Sequence, residues 1–346
     1  MVKTQSSFMK LPEIESQQAP RRSFLKGIIG SVLAAPVAVA EGSSSKDRTQ
    51  GPASRNFSQD DTRIRLRADG IRQTAKVSFI SDTHLFRDDA RGAPYRQFSE
   101  RMAKGYNKTT HFRTLVGTNP EEQFRLSLRK AKSEKADLII LGGDILSFPS
   151  EAAVEWLVDE LRSNGVPWVY TSGNHDWHYE GMEGSSETLR ATWITERLSP
   201  LYHGADPMFA VNSVGDIDVV TIDDSTYEIT PSQLQFFRER VATGRPMILC
   251  LHIPLYVPGR TVGFGVGHPE WGAASDKYYK TERRPQWRSK HTQTTMDFHR
   301  EVFSTPNLLG IFAGHIHKMT TDVYQGIPQF VTNANATGGD YLIEVV

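Results

Sequence analysis

Val77-Ser78-Phe79-Ile80-Ser81-Asp82-Thr83-His84 is a short apolar run that ends abruptly in polar, chemistry-bearing residues. A run of this length, rich in β-branched and aromatic side chains, predicts a buried strand followed by a loop. The same pattern recurs along the chain. Residues 138–141 lead to Asp144, 167–171 to Asn174, 247–251 to His252 and 308–312 to His315. A further strand is expected at 219–222, and hairpin-type strands at 320–324, 329–332 and 341–345. Helical patterns fall between them at 120–135, 151–162, 186–198, 231–241 and 295–303. The first is marked by Asn119 and Pro120 as an N-cap and first-turn pair, with Glu121 and Glu122 behind them. Strands alternating with helices predict layered α/β or α+β architecture. In open sheets of this class ligands bind beyond the C-terminal strand ends, so five separated segments are expected to converge on one site.

Composition narrows the chemistry. The 346 residues carry 40 Lys plus Arg and 40 Asp plus Glu, so no overall field draws the chain to a nucleic-acid polymer or an anionic membrane. The single Cys250 has no partner for an intramolecular disulfide or a thiolate metal site, and reads as a buried strand residue. At the N-terminus, Arg21-Arg22-Ser23-Phe24-Leu25-Lys26 precedes a weakly apolar stretch at 27–37 and the small residues Ala38, Val39 and Ala40. That order resembles a twin-arginine export signal at 1–40, although Pro20 stands where the pattern usually has Ser or Thr. The apolar stretch is shorter than the roughly 20 residues of a spanning helix, so no stable membrane anchor is expected. Export to the periplasm or beyond, through the twin-arginine translocation machinery, is the expectation. Residues 41–75 read as linker and lead-in, with 42–61 lacking apolar periodicity, and 76–346 as the catalytic domain.

The five loops read Ser81-Asp82-Thr83-His84, Gly142-Gly143-Asp144, Gly173-Asn174-His175-Asp176, Leu251-His252-Ile253-Pro254 and Gly314-His315-Ile316-His317. Carboxylate, imidazole and amide oxygen form a mixed N/O donor set suited to Zn, Fe, Mn or Ni. In this order and after strands, the loops resemble the calcineurin-like metallophosphoesterase superfamily. The resemblance implies a four-layer α/β/β/α sandwich of two mixed sheets flanked by helices. It also implies two divalent metal ions, one held by Asp82, His84 and His317, the other by Asn174, His252 and His315, with Asp144 between them. A hydroxide bridging the ions would attack a small-molecule phosphate ester. Two ions bring four positive charges, and Asp82, Asp144 and the hydroxide remove three, which leaves a site attractive to phosphate. The resemblance makes His175 the group that acts on the ester and Asp176 the carboxylate that orients His175.

Of the eleven histidines, His111, His203, His268, His291 and His299 read as structural or exposed. His178 follows Asp176 closely enough to reach the mouth of the site. The segment 259–292 is long for a connector and carries Arg260, Trp271, Tyr278, Tyr279, Arg283, Arg284, Trp287 and Arg288. It reads either as a lid that stacks a ring and holds a second phosphate, with His178, Arg283, Arg284 and Trp287 as substrate contacts, or as a surface excursion. His84 and Ser147 depart from the purple acid phosphatase pattern, which has Gly and Tyr there. Ile145 and Asp176 depart from the serine/threonine phosphatase pattern. The rest is similar to bacterial cyclic nucleotide and glycerophosphodiester phosphodiesterases, except that Phe236-Phe237 replaces Trp-Leu. A diesterase is therefore favoured. A phosphomonoesterase, a hydrolase of a non-phosphate bond and a non-catalytic module that kept the fold are the alternatives.

Overall fold

In the computed structural model, residues 56–100, 107–272 and 290–346 are described. The twin-arginine segment lies outside them, as do Tyr278, Tyr279, Arg283, Arg284, Trp287 and Arg288. Two six-stranded mixed sheets form the body. The first runs β1 (Asn56–Asp60), β2 (Arg63–Arg67), β14 (Tyr341–Val345), β3 (Ala75–Ile80), β6 (Leu138–Gly142), β7 (Trp168–Thr171). The second runs β12 (Thr320–Tyr324), β13 (Ile327–Val331), β11 (Leu308–Ala313), β10 (Met247–Cys250), β9 (Ile217–Ile222), β8 (Phe209–Val214). A small hairpin, β4 (Thr109–Thr110) with β5 (Gly117–Thr118), stands apart from both. Strands β3, β6 and β7 are mutually parallel, and so are β9, β10, β11 and β13.

Three apolar clusters show why the layers number four. Successive strand side chains point to opposite faces, so β6 sends Leu138 and Ile140 one way and Ile139 and Leu141 the other. Leu138 and Ile140 join Val77 and Phe79 against Ile248, Cys250 and Phe312 of the second sheet, filling the space between the sheets. Ile139 and Leu141 meet Phe124, Leu128, Leu157 and Leu161 from the helices Pro120–Ser133 and Glu151–Asn164. On the far side, Leu249 and Ile311 meet Leu234, Phe237, Phe298 and Val302 from the helices Pro231–Ala242 and Gln293–Val302. Burial of such side chains stabilises by about 1.5–3 kcal/mol each before entropy is counted. Among the described residues, no helix is long and apolar enough to cross a membrane.

Three sequence expectations need correction. The stretch expected to be linker as far as Asp61 is already sheet at Asn56, where β1 pairs antiparallel with β2. Ile64 and Leu66 of β2 alternate with arginines and bury completely, while β2 itself runs parallel to β14, nearly the whole chain away. Strand β8 was not anticipated at all. The helix expected at 186–198 is α-helical only over Ser186–Trp193 and continues as a π-helical turn, Ile194–Leu198.

Candidate metal centre

Because β3, β6 and β7 are parallel in one sheet and β10 and β11 in the other, their following loops open toward the same edge. Direct hydrogen bonds join the two sets. Both carboxylate oxygens of Asp82 accept from the His315 amide, at 3.0 and 2.9 Å, and the His252 ring bonds through Nδ1 to the Gly142 carbonyl at 3.0 Å. Within the first sheet, the Asp82 and His84 amides donate to the Gly143 and Asp144 carbonyls at 3.0 and 2.9 Å. A ligand loop from one sheet thus serves as the support for a ligand loop from the other.

The backbone pays conformational strain here. Asp82, His84, Asp144, His315 and His317 all have positive φ, between 49° and 67°. The left-handed region is uncommon for residues with a Cβ and clusters at functional sites, at a cost of about 1–3 kcal/mol each. Glycine is needed where two loops touch. A Cβ on Gly143, whose φ is +86°, would come within 2.6 Å of the His252 ring, and one on Gly314 would overlap Ser81 and the Asp82 carboxylate.

These constraints bring together Asp82, His84 and His317 in one group, His84, Asp144 and His175 in a second, and Asp144, His252 and His315 in a third. In each group the donor atoms lie within 4.8 Å of one another. His84 Nε2 and His317 Nε2 are 3.0 Å apart, His317 Nε2 is 3.2 Å from Asp82 Oδ1, and His252 Nε2 is 3.2 Å from Asp144 Oδ2. Asp144 Oδ2 also lies 3.9 Å from His84 Nε2, so one carboxylate serves two groups. Asn174 is buried on the β7 loop, whose next amide, that of His175, donates to Asp144 Oδ1 at 2.7 Å.

The donor chemistry fits divalent cations. His252 places its Nδ1 proton on Gly142, while its buried Nε2 has no hydrogen bond and faces Asp144. Burial lowers the basicity of this ring, but Asp144, Asp82 and Asp224 outweigh burial and push its pKa up to about 10. Burial likewise raises Asp82, yet His317 and His252 bring it down to about 2. His84, against its neighbours His317 and His175, is held well below the usual imidazole value, chiefly by burial. Carboxylates that remain ionised while buried, and that hold a proton on the imidazole facing them, form a site that gains by taking positive charge.

Asp176 makes contacts with the main chain that its place in the sequence does not reveal. Its Oδ2 accepts from the amides of Gly173 and Asp144 at 2.7 and 2.8 Å, and its Oδ1 from Leu146 at 2.7 Å. The carboxylate clamps the β6 loop to the β7 loop through these three amides. Burial and the charge of Asp144 push its pKa up to about 7, against the pull of those amides. His178 is buried, with its ring 6.3 Å from that of His175. Arg260 is committed to Asp322 at 2.9 Å, and Trp271 is buried against Tyr227 and His291, so neither side chain reaches out as part of a lid.

Other contributors went unread. Asn335 accepts from Thr83 Oγ1 at 3.0 Å and donates its amide to the Ser81 carbonyl at 2.9 Å, bracing the Asp82 loop. Asp224 accepts from the amides of His252 and Ile253, both at 3.1 Å. Tyr227 Oη lies 2.8 Å from His315 Nε2. A signal for the last two was present, since Asp223-Asp224 follows β9 just as the other site residues follow their strands.

Comparison with known proteins gives the same direction. The family described as calcineurin-like phosphoesterase matches residues 75–319. A probable cyclic nucleotide phosphodiesterase of Psychrobacter arcticus is 22% identical over 212 residues, 58% of this chain and 64% of that protein. Another of the same description, from Moraxella catarrhalis, is 31% identical over 71 residues, 20% of this chain and 26% of that protein. The matches thus span less than two thirds of either relative. Among solved structures, a dimetal phosphatase from Danio rerio is 11% identical with a TM-score of 0.48, covering 76% of this chain and 88% of that one.

Proposed function

The chain belongs to the calcineurin-like phosphoesterase family, and we propose that it hydrolyses small phosphate esters with two divalent metal ions, phosphodiesters being favoured over monoesters. One observation carries the reading: three donor groups overlap, the first and second through His84 and the second and third through Asp144, and all of their members lie on loops at one edge of the two sheets. One ion would be held by Asp82, His84 and His317 and the other by Asn174, His252 and His315, with Asp144 common to both. Such ions supply positive charge to a phosphate oxygen and lower the pKa of bound water.

The remaining chemistry falls to the chain's own groups. His175 has its donor atom within 4.8 Å of those of His84 and Asp144, and its amide is tied to Asp144. Its imidazole is placed to donate a proton to an ester oxygen held among these residues, either stabilising developing charge or protonating the leaving group. Asp176 keeps that loop in register through three amides. The preference for diesters rests on the relatives described as probable cyclic nucleotide phosphodiesterases.

The test is to incubate metal-replete protein lacking residues 1–40 with aryl phosphodiester and aryl phosphomonoester substrates. Cleavage of the diester in preference to the monoester is expected. Cleavage of neither would remove the central reading, and cleavage of the monoester alone would reverse the preference. We also propose that the protein is exported by the twin-arginine route, on the strength of Arg21-Arg22-Ser23-Phe24-Leu25-Lys26. Replacing Arg21 and Arg22 together by Lys is expected to leave precursor in the cytoplasm. Undiminished export of that variant would count against the route.

A further inference from the structure

The loop that leaves β9 touches the site twice. Asp224 ties down the backbone of His252, and three residues later Tyr227 reaches the ring of His315. Tyr227 sits at φ +62°, a conformation in which a bulky side chain is strained, and its amide closes a turn onto the Asp224 carbonyl at 2.7 Å. Strain of this kind persists only where surrounding structure imposes it. The surroundings here are aromatic. Tyr227 is 8% exposed, its ring 5.4 Å from that of Trp271, and Trp271 is in turn stacked at 4.5 Å on His291. The phenol is thus fixed in place with its hydroxyl on one nitrogen of a histidine of the metal centre.

We propose that Tyr227 is a positioning residue for the ion held by Asp144, His252 and His315. The hydroxyl accepts the Nε2 proton of His315 and so fixes the tautomer in which Nδ1 is the ligating nitrogen. His252 is set in the opposite sense, because Gly142 takes its Nδ1 proton and Nε2 faces Asp144. A histidine whose second nitrogen is committed in this way pays less orientational entropy on binding and is a better base, and loss of such a partner costs about 10- to 100-fold in metal affinity. The inference rests on the two-ion reading above and adds to it a residue that touches neither ion.

The experiment is Mn²⁺ titration of the metal-stripped protein by calorimetry. It compares wild type with Tyr227→Phe, and His317→Ala with the double variant carrying both changes. Phenylalanine keeps the ring packing against Trp271 and removes only the hydroxyl. His317→Ala disables the other group and leaves one ion to follow. The expected result is a loss of about 10- to 100-fold in affinity for one of the two ions in Tyr227→Phe. The same loss is expected for the remaining ion in the double variant, with the thermal midpoint of the metal-free protein unchanged. Wild-type affinities in Tyr227→Phe would overturn the inference alone. So would an equal fall for both ions together with a lowered metal-free midpoint, because that would show a merely structural role. A wild-type protein that takes up no Mn²⁺ would overturn the two-ion reading and this inference with it.

Discussion

The Asp82, His84, His317 group and the Asp144, His252, His315 group have the same composition, one carboxylate and two imidazoles, but are built differently. In the first, two rings face each other through Nε2 at 3.0 Å, and His317 keeps 29% of its side chain exposed. In the second, each ring is committed through its other nitrogen, His252 to a carbonyl and His315 to a phenol, and His252 is fully buried. The carboxylate of the first group is braced from both sheets, because Asp82 accepts from the His315 amide and from Ser81 Oγ at 2.7 Å. The difference teaches that equal donor sets can be supported in different ways: a backbone carbonyl and a phenol hold the rings of the second group, whereas a backbone amide and a serine hydroxyl hold the acid of the first.

The most severe way to break the comparison is to remove what the groups share. Asp144→Ala is expected to abolish uptake of both ions and to reduce ester hydrolysis to background, because Oδ2 lies 3.2 Å from His252 and 3.9 Å from His84. His175→Ala supplies the contrast. That variant is expected to take up both ions while turnover falls by about 10²- to 10⁴-fold, the range for a proton-transfer group. Metal analysis beside kcat decides it, and equal metal loss in the two variants would refute the division of roles.

What the sequence made legible was the position of the site, because strand ends can be read from apolar runs and a donor residue after each run is visible in one dimension. Asp82, Asp144, Asn174, His252 and His315 were all located in this way. What it hid was every partnership with the main chain. The three donors to Asp176 are backbone amides, as is the His315 donor to Asp82, and the His252 ring bonds a backbone carbonyl; such groups carry no residue identity, so the clamp that Asp176 makes could not be read. Strand β1 was hidden for another reason: Asn-Phe-Ser-Gln-Asp has no apolar alternation, and it joins the sheet only through β2, which itself pairs with β14 at the far end of the chain. Tyr227 lies on a strand-end loop too, but a phenol among known donor types attracts no attention until its hydroxyl is seen on His315.

Asp176→Asn sharpens the comparison at the next level down. The amide keeps one oxygen for the Gly173 and Asp144 donors but turns an N–H₂ toward the Leu146 amide, where donor meets donor. A loss of about 1–3 kcal/mol in unfolding free energy is expected, measured by denaturant titration of the metal-free protein. Metal affinity is expected to fall at both groups together, because the clamp holds Asp144. If stability were unchanged and only the pH profile of turnover moved, Asp176 would be acting on His175 after all.

The smallest effect is expected one step outside the second group, at Glu228. Its carboxylate accepts from His291 Nδ1 at 3.1 Å, from the Thr292 amide and hydroxyl at 3.0 Å each, and from Thr295 Oγ1 at 2.5 Å. It thereby joins the Tyr227 loop to the first turn of the helix Gln293–Val302. Burial raises its pKa, but His291, Thr295 and Thr292 together bring it below the ordinary 4.5. A carboxylate whose pKa is depressed by folding stabilises the fold above its unfolded pKa, and that contribution is lost as the pH falls through the lower folded value. Glu228→Gln is therefore expected to cost about 1 kcal/mol at neutral pH, with the variant and wild type converging as the solution is acidified below the ordinary glutamate range. Denaturant titrations across that range measure the gap. Both ions are expected to bind Glu228→Gln with wild-type affinity, because Asp224 and Tyr227 contact the ligands directly and Glu228 does not. A gap independent of pH would place the effect in the shape of the side chain rather than its charge, and a selective loss of one ion would extend the support of the second group outward to the helix.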